Sequence, residues 1–155
     1  MVAVLSIRNA TAGEAPVLEA LQRRSSDVWA QYREQLAAHP DAIELPETFI
    51  DKGWVRVAVD DKGTPVGFSV VVPNHPAHEL DGLFVEPDQM FSGVGRALIE
   101  DAATRASKQG AEALEVTTGP GQGFYERVGF ELIGAAQTRF GPAKRMRRDL
   151  QPRAR

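Results

Sequence analysis

The chain has 155 residues, of which 43% are hydrophobic and 25% are charged, and its net charge is −3. These values are typical of one globular domain and exclude a disordered or fibrous chain. The sequence contains no cysteine, so disulfides, thiolate metal sites and a cysteine nucleophile are excluded. No apolar run reaches the roughly 18 residues of a membrane span, and the first residues lack the pattern of a signal peptide. We therefore expect a cytoplasmic protein without a membrane or nucleic-acid partner.

The first half of the chain predicts one strand, three helices and a β-hairpin. The capping-box spacing of Thr11 and Glu14, followed by Pro16, indicates the start of a helix. The run Asp60-Asp61-Lys62-Gly63 is a strong hairpin turn. The predicted elements are a strand at 2–8, a helix from about Pro16 to Arg24, a second helix from Ser26 or Asp27 through Leu36, a loop at 38–45, a short helix between Pro46 and Gly53, and strands at 54–59 and 65–72.

The second half predicts a strand that ends at Val85, a longer helix, and then alternating short elements. These are a helix at 96–109 capped by Gly110, a strand at 114–116, a helix at 122–128 capped by Gly129, and a last hairpin of strands 130–133 and 144–150. This order indicates an α/β fold with a mixed sheet and helices on its faces. We expect one domain at residues 1–150 and a basic tail at 151–155.

Basic residues crowd the end of the chain, at Lys144, Arg145, Arg147, Arg148, Arg153 and Arg155. One interpretation is a solvated edge strand with a frayed tail, and the other is a patch that attracts an acidic ligand or partner. The same strand could be a free edge or the seam of a homodimer, and the sequence leaves this open.

The most informative motif is the glycine turn Gly93-Val94-Gly95, which follows the predicted strand 80–85 and opens the long helix. A glycine-bearing turn at a helix start leaves several backbone N–H groups unpaired and pointing one way, where the helix dipole favours an anion. The sequence therefore predicts a phosphate-bearing ligand at this turn.

Two nucleotide-binding interpretations of the turn are disfavoured. A P-loop requires a Gly-Lys-Ser/Thr ending, which the sequence lacks. A dinucleotide fingerprint requires a third glycine where Leu98 stands, and seven residues, Glu86–Ser92, separate the strand from the turn. A nucleotide-using transferase would reveal itself by binding ATP or NAD in preference to coenzyme A.

The runs Leu83-Phe84-Val85-Glu86-Pro87 and Gly93-Val94-Gly95-Arg96-Ala97-Leu98, with Phe124-Tyr125-Glu126-Arg127-Val128-Gly129-Phe130 further on, resemble the GCN5-related N-acetyltransferase (GNAT) superfamily. The element order resembles that fold over nearly the whole chain. The resemblance implies a mostly antiparallel, twisted central sheet with helices on both faces and splayed central strands. It also implies transfer of the acetyl group of acetyl-CoA to a primary amine of a small molecule or peptide.

The resemblance also assigns the cofactor contacts. The main chain of Leu83, Phe84 and Val85 is expected to bind pantetheine, and the amides of Phe91, Ser92, Gly93, Val94, Gly95 and Arg96 are expected to bind the pyrophosphate. Two positions depart from the family pattern, because Met90 replaces a usual Gln or Arg and Phe91 replaces a frequent glycine. Phe91 is sterically restricted where glycine is not, so a lower affinity or a different loop path is expected.

Acetyl transfer requires a base for the amine, stabilisation of the carbonyl oxygen and a proton for the departing thiolate. Without cysteine, direct attack in a ternary complex is the simpler hypothesis. The resemblance implies Tyr125 as the general acid and a cofactor contact, and Glu79 as a base that acts through water. Asp81 is the second candidate base, and the amide of Val85 could polarise the thioester carbonyl. The alternatives are a packing role for Tyr125 and solvent-facing roles for the two acids.

Other residues carry weaker hypotheses. His75 and His78 with Glu79 lack the alignment of a metal site, so a surface pair of histidines and no metal are expected. The resemblance implies that Trp29, Tyr32 and Arg33 could line the acceptor pocket, and their spacing equally fits a core stripe with a solvated arginine. An alternative of another class is a non-catalytic module that senses acyl-CoA or binds a partner, and Met90 and Phe91 favour it.

Overall fold

The computed structural model describes residues 5–150, without the side chains of residues 30–32 and 40. The start of the predicted first strand and the basic tail lie outside the described residues. Within them are seven strands and five α-helices: β1 (Ser6–Asn9), α1 (Ala15–Ser26), α2 (Ala30–Ala38), α3 (Glu47–Asp51), β2 (Val55–Val59), β3 (Pro65–Val72), β4 (Ala77–Val85), α4 (Val94–Lys108), β5 (Ala113–Thr118), α5 (Gln122–Arg127), β6 (Glu131–Thr138) and β7 (Gly141–Asp149).

The strands form one mixed sheet in the order β1-β2-β3-β4-β5-β7-β6. β1 pairs with β2, β2 with β3, β5 with β7 and β6 with β7, all antiparallel, whereas β4 and β5 are parallel. The described β4–β5 ladder ends at the pair Leu80–Val116, although β4 continues to Val85 and β5 to Thr118. The sheet therefore has the expected mixed, mostly antiparallel composition, and a central pair of strands stops pairing halfway along β4.

Local chemistry explains the hairpin of β2 and β3. The N–H of Asp60 donates to the Thr64 carbonyl at 3.0 Å. The Asp60 carboxylate accepts the N–H groups of Lys62 and Thr64 at 2.9 Å each, and Gly63 adopts φ +80°. A side-chain acceptor that bonds its own turn and a glycine at positive φ are the features that the sequence predicts here.

The described residues divide into two compact units. The first unit contains residues 5–70 and Gly82–Leu98, and the second contains Val71–Asp81 and residues 99–150. A buried cluster of the first unit joins β2 and β3 to the start of α4 and consists of Ala58, Val66, Val94 and Leu98. In the second unit the inner positions of β5 and β7 are buried, among them Leu114, Val116 and Met146. The expectation of a single domain stays a prediction.

The basic strand near the end of the chain corrects one expectation. β7 lies between β5 and β6, so it is an interior strand, and the prediction of an edge strand is wrong. Its arginines bind acidic side chains: Arg147 contacts Glu115 at 2.8 Å and Arg148 contacts Glu100 at 2.7 Å. The positive charges of this strand are therefore largely paired with acidic side chains of the same protein. No helix within residues 5–150 is long and apolar enough to cross a bilayer.

Candidate active-site groups

The segment between β4 and α4 begins with a 3₁₀ turn at Pro87–Gln89 and continues through Met90 to Gly93. Phe91 has φ +66°, and its side chain is 98% exposed. This is the left-handed region, which is unfavourable for a residue with a Cβ and natural for glycine. The position where the GNAT pattern often has glycine therefore has the backbone conformation of a glycine, although the residue is phenylalanine. Gly93 is also left-handed, with φ +95°.

The start of α4 presents backbone donors. Within residues 5–150 no acceptor is found for the peptide N–H groups of Gly93, Val94 and Gly95, and the first turn of the helix has no acidic side chain. The N–H of Ser92 differs, because it donates to the Gln89 carbonyl at 3.3 Å, and the Ser92 hydroxyl also donates to that carbonyl. Three of the six predicted pyrophosphate contacts are thus adjacent N–H groups at a helix start, which favours an anion.

A missing side chain in β3 sets the position of this helix start. A Cβ added to Gly67 would lie 2.9 Å from the Phe84 carbonyl oxygen, 2.9 Å from Val94 Cγ1 and 3.2 Å from Leu98 Cδ1. These distances are shorter than ordinary van der Waals contact. Gly67 therefore lets the first turn of α4 pack directly on β3 and on the end of β4.

The last residues of β4 are the predicted pantetheine contacts. The side chains of Leu83 and Val85 pack against the buried cluster of the first unit, and the Phe84 ring lies 5.2 Å from the Phe68 ring. The N–H of Val85 donates to the hydroxyl of Ser25 in α1 at 3.3 Å. The predicted thioester-polarising amide therefore already has a hydroxyl partner, which the sequence does not indicate.

In the second unit, Tyr125 is on α5 and is 8% exposed. Its ring makes edge contacts with Phe124 at 5.2 Å and with Phe130 at 5.3 Å. A Cβ on Gly121 would lie 3.3 Å from Tyr125 Cε2, so this glycine leaves the space in which the ring lies. Burial raises the pKa of the Tyr125 phenol above its ordinary range, so the hydroxyl keeps its proton at all physiological pH values.

The two candidate bases have different surroundings. Glu79 binds Arg145 through both oxygens, at 2.8 and 3.1 Å, whereas Asp81 is exposed. Arg145 also contacts Glu115 at 2.7 Å and the Thr117 hydroxyl at 2.8 Å. The pKa of Arg145 is raised, chiefly by the hydrogen bond to Glu79. A guanidinium therefore holds the Glu79 carboxylate, and the residues near Glu79 in the sequence do not indicate this partner.

His78 and its neighbours are the histidine group considered as possible metal ligands. Among the described residues, no group of three or more His, Asp or Glu side chains could hold a metal ion. His78 is 6% exposed, and its ring nitrogens contact the Asn74 carbonyl at 2.8 Å and Gln109 Oε1 at 2.9 Å. The prediction of a surface pair is therefore wrong for His78, which is a buried residue with both ring nitrogens occupied.

The residues predicted for the acceptor pocket are only partly described. Trp29 is 41% exposed, so it does not belong to a core stripe, whereas the exposed Arg33 agrees with a solvated arginine. The side chain of Tyr32 lies outside the described part. Three contributors were missed from the sequence. Gly67 had a signal, because a glycine inside a strand often marks a close backbone approach. Ser25 and Arg145 had none, because their partners lie far away in the sequence.

A family model described as an acetyltransferase (GNAT) domain matches residues 51–132. Peptidyl-lysine N-acetyltransferase YjaB of Escherichia coli (strain K12) is 32% identical over 139 residues, which cover 86% of this chain and 87% of that protein. The chain therefore belongs to the GNAT acetyltransferase family, and it is an acetyl-CoA-dependent N-acetyltransferase.

Two solved structures of acetyltransferases are similar to this chain in fold. The apo-form solution structure of YjaB from Escherichia coli has a TM-score of 0.67 and 28% identity, and the match covers 95% of this chain and 97% of that one. The crystal structure of the PaiA N-acetyltransferase from Thermoplasma acidophilum in complex with coenzyme A has a TM-score of 0.79 at 18% identity, covering 94% and 99%. At that identity the second likeness shows the fold alone.

Proposed function

We propose that this acetyltransferase acts on the ε-amine of lysine in a peptide or protein. The support for this acceptor is the likeness to the peptidyl-lysine N-acetyltransferases YjaB of Escherichia coli and of Salmonella typhimurium, which are 32% and 31% identical to this chain. Each match covers 86% of the chain, so the likeness is not limited to the cofactor motif.

The observation that carries the cofactor site is the row of backbone donors at the start of α4. The N–H groups of Gly93, Val94 and Gly95 suit the pyrophosphate of acetyl-CoA, because no acid in the first turn of the helix opposes an anion there. The end of the β4–β5 ladder at Leu80–Val116 supports main-chain contacts from Leu83 and Val85 to the pantetheine arm. The proposed contacts to acetyl-CoA are therefore made mainly by backbone groups.

The transfer is proposed to proceed by direct attack. The lone pair of the amine nitrogen forms a bond to the carbonyl carbon, the carbon–sulfur bond breaks, and its electron pair leaves with the sulfur. Tyr125 is proposed to give its proton to this sulfur. The phenol is fully protonated at neutral pH, so the donor form is available. Burial raises its pKa and makes it a weaker acid, so the support for the role is the position of Tyr125 in the motif and not the pKa shift.

Glu79 is proposed to take the proton of the amine through a water molecule. Its support is the pair of hydrogen bonds from Arg145, which fixes the carboxylate in one position. Asp81 is the alternative, since it is exposed and two residues further along the same strand. Comparing Glu79→Gln with Asp81→Asn distinguishes them, because the variant that lacks the base should lose most of its kcat at neutral pH, whereas the other variant should stay close to the wild type.

The acceptor is tested with two peptides of the same length. One has an acetylated N-terminus and a single lysine, and the other has a free N-terminus and arginine in place of the lysine. We expect free-thiol release from acetyl-CoA, and a peptide product in mass spectrometry, with the lysine peptide only. Thiol release with small amines but with neither peptide would contradict the lysine assignment. Binding of acetyl-CoA without thiol release from any amine would favour the non-catalytic module.

A further inference from the structure

The last turn of α1 lies against the end of β4 within the first unit. Arg24 binds Glu86 with two hydrogen bonds, Nε to Oε1 at 2.9 Å and Nη2 to Oε2 at 2.6 Å. The next residue, Ser25, accepts the N–H of Val85 at 3.3 Å. Two consecutive residues of the helix thus bind Val85, the last residue of β4, and Glu86, which follows it. This double contact fixes the Ser25 hydroxyl relative to the Val85 amide.

The Ser25 hydroxyl has a proton to donate. Its side chain is 7% exposed, and its oxygen is an acceptor in the contact with Val85. A serine inside a helix commonly donates to the carbonyl one turn earlier. Among residues 5–150 no acceptor of this hydroxyl proton is found. A buried hydroxyl with an unused donor is unfavourable unless an acceptor arrives.

We propose that Ser25 is a second hydrogen-bond donor to the carbonyl oxygen of the acyl thioester, beside the N–H of Val85. The inference rests on the proposed function and on the role predicted from the sequence for the Val85 amide, which is to polarise this carbonyl. The two donor atoms are 3.3 Å apart, so one acceptor oxygen can lie within hydrogen-bond distance of both. Ser25 then turns from accepting the amide proton to donating its own proton to the same oxygen.

This arrangement would act mainly during the transfer. When the nitrogen–carbon bond forms, the π electron pair of the carbonyl moves onto its oxygen, and it returns when the carbon–sulfur bond breaks. Two donors that are already in position stabilise that charge without reorganisation. Ser25 neither gains nor loses a proton overall, and it forms no covalent bond.

The test compares acetyl-CoA with S-ethyl-CoA, which has the same chain without the carbonyl oxygen. Affinities of the wild-type protein and of Ser25→Ala are measured by isothermal titration calorimetry. We expect Ser25→Ala to weaken acetyl-CoA about three- to tenfold, as for the loss of one hydrogen bond, and to leave S-ethyl-CoA unchanged. The kcat should fall more than the affinity. Ser26→Ala, at the next position of α1, is the matched control and should resemble the wild type.

Several outcomes would overturn the inference. Equal losses for both ligands would assign Ser25 a purely structural role, no change would remove it from the site, and tighter binding of acetyl-CoA would mean that the hydroxyl competes with the acyl oxygen for Val85. If Ser25→Ala does not fold, Ser25→Cys provides the same comparison with a weaker donor of similar shape. Failure of the wild type to bind either ligand would instead overturn the proposed cofactor site.

Discussion

The start of α4 in the first unit and the Tyr125 turn in the second unit supply their proposed groups from different parts of the chain. At α4 the groups are main-chain N–H donors of Gly93, Val94 and Gly95, which every residue except proline has. At α5 the group is one phenol, and Tyr125 is the only residue of that helix that can supply it. A main-chain site tolerates changes of side chain and fails when the backbone moves. A side-chain site fails after a single substitution.

The two regions are also held in place differently. The helix start depends on close packing at Gly67, where a single methyl group would meet three neighbouring atoms. The tyrosine depends on two aromatic neighbours, Phe124 and Phe130, and on the space left by Gly121. Mutations that separate binding from turnover should therefore fall into two groups, one for each region.

The largest effect is expected from Tyr125→Phe, which removes the phenolic hydroxyl and keeps the ring. A positioned general acid contributes about 10²- to 10⁴-fold to the rate, so kcat should fall at least about 100-fold. The affinity for acetyl-CoA should stay near that of the wild type, because the proposed pyrophosphate donors are unchanged. Steady-state kinetics and calorimetry measure the two quantities. An unchanged kcat would remove Tyr125 from the mechanism and would leave it a packing role.

Gly67→Ala should lower the affinity for acetyl-CoA, whereas Tyr125→Phe should lower kcat. The added methyl group lies 2.9 Å from Val94 Cγ1 and from the Phe84 carbonyl oxygen, so the first turn of α4 must move. Overpacking of this kind costs about 1–3 kcal/mol of the free energy of unfolding. The affinity for acetyl-CoA should fall about three- to tenfold, the range expected when an anion loses its place at a helix start. Thermal unfolding and calorimetry test both.

Gly134→Ala is the matched control for this variant. Gly134 also lies in a strand, but no atom is found within 4 Å of its Cβ position. Stability and affinity should therefore stay close to the wild type. Equal destabilisation by both substitutions would mean that the loss at Gly67 does not come from its contact with the start of α4.

Local signals predicted most of the elements, because turns and caps act over a few residues. The Asp60–Gly63 turn located the hairpin of β2 and β3, and the glycine pair located the start of α4 to within two residues. The extent of β6 was missed. This strand continues to Thr138, five residues beyond the prediction, and nearly all of it is exposed, so no alternating pattern marks it.

Long-range pairing accounts for the remaining differences. The interior position of β7 depends on which strands pair with it, and its arginines resemble those of a solvated edge. Helical spacing places Phe124 and Val128 on one face, whereas the buried residues of α5 and its C-cap are Tyr125 and Val128. Tyr125 is buried because the turn at Gly129 brings Phe130 onto its ring, and the helix periodicity alone does not contain that contact. The Ser25–Val85 hydrogen bond joins residues 60 positions apart, so no local sequence pattern predicts it either.

The smallest effect is expected at Phe91, where main-chain and side-chain roles can be separated in one position. The left-handed backbone of this residue costs a non-glycine residue about 1–2 kcal/mol, which a glycine would not incur. Part of this gain in stability is offset by the greater freedom of glycine in the unfolded chain. Phe91→Gly should therefore raise the free energy of unfolding by about 0.5–1 kcal/mol, measured by chemical denaturation. Phe91→Ala removes the same ring and keeps the unfavourable φ, so it should give no such gain.

If only the backbone of the loop binds the pyrophosphate, both variants should bind acetyl-CoA within about threefold of the wild type. A large and equal loss of affinity in the two variants would show that the exposed ring itself contacts the ligand, and the main-chain account of this region would then be incomplete.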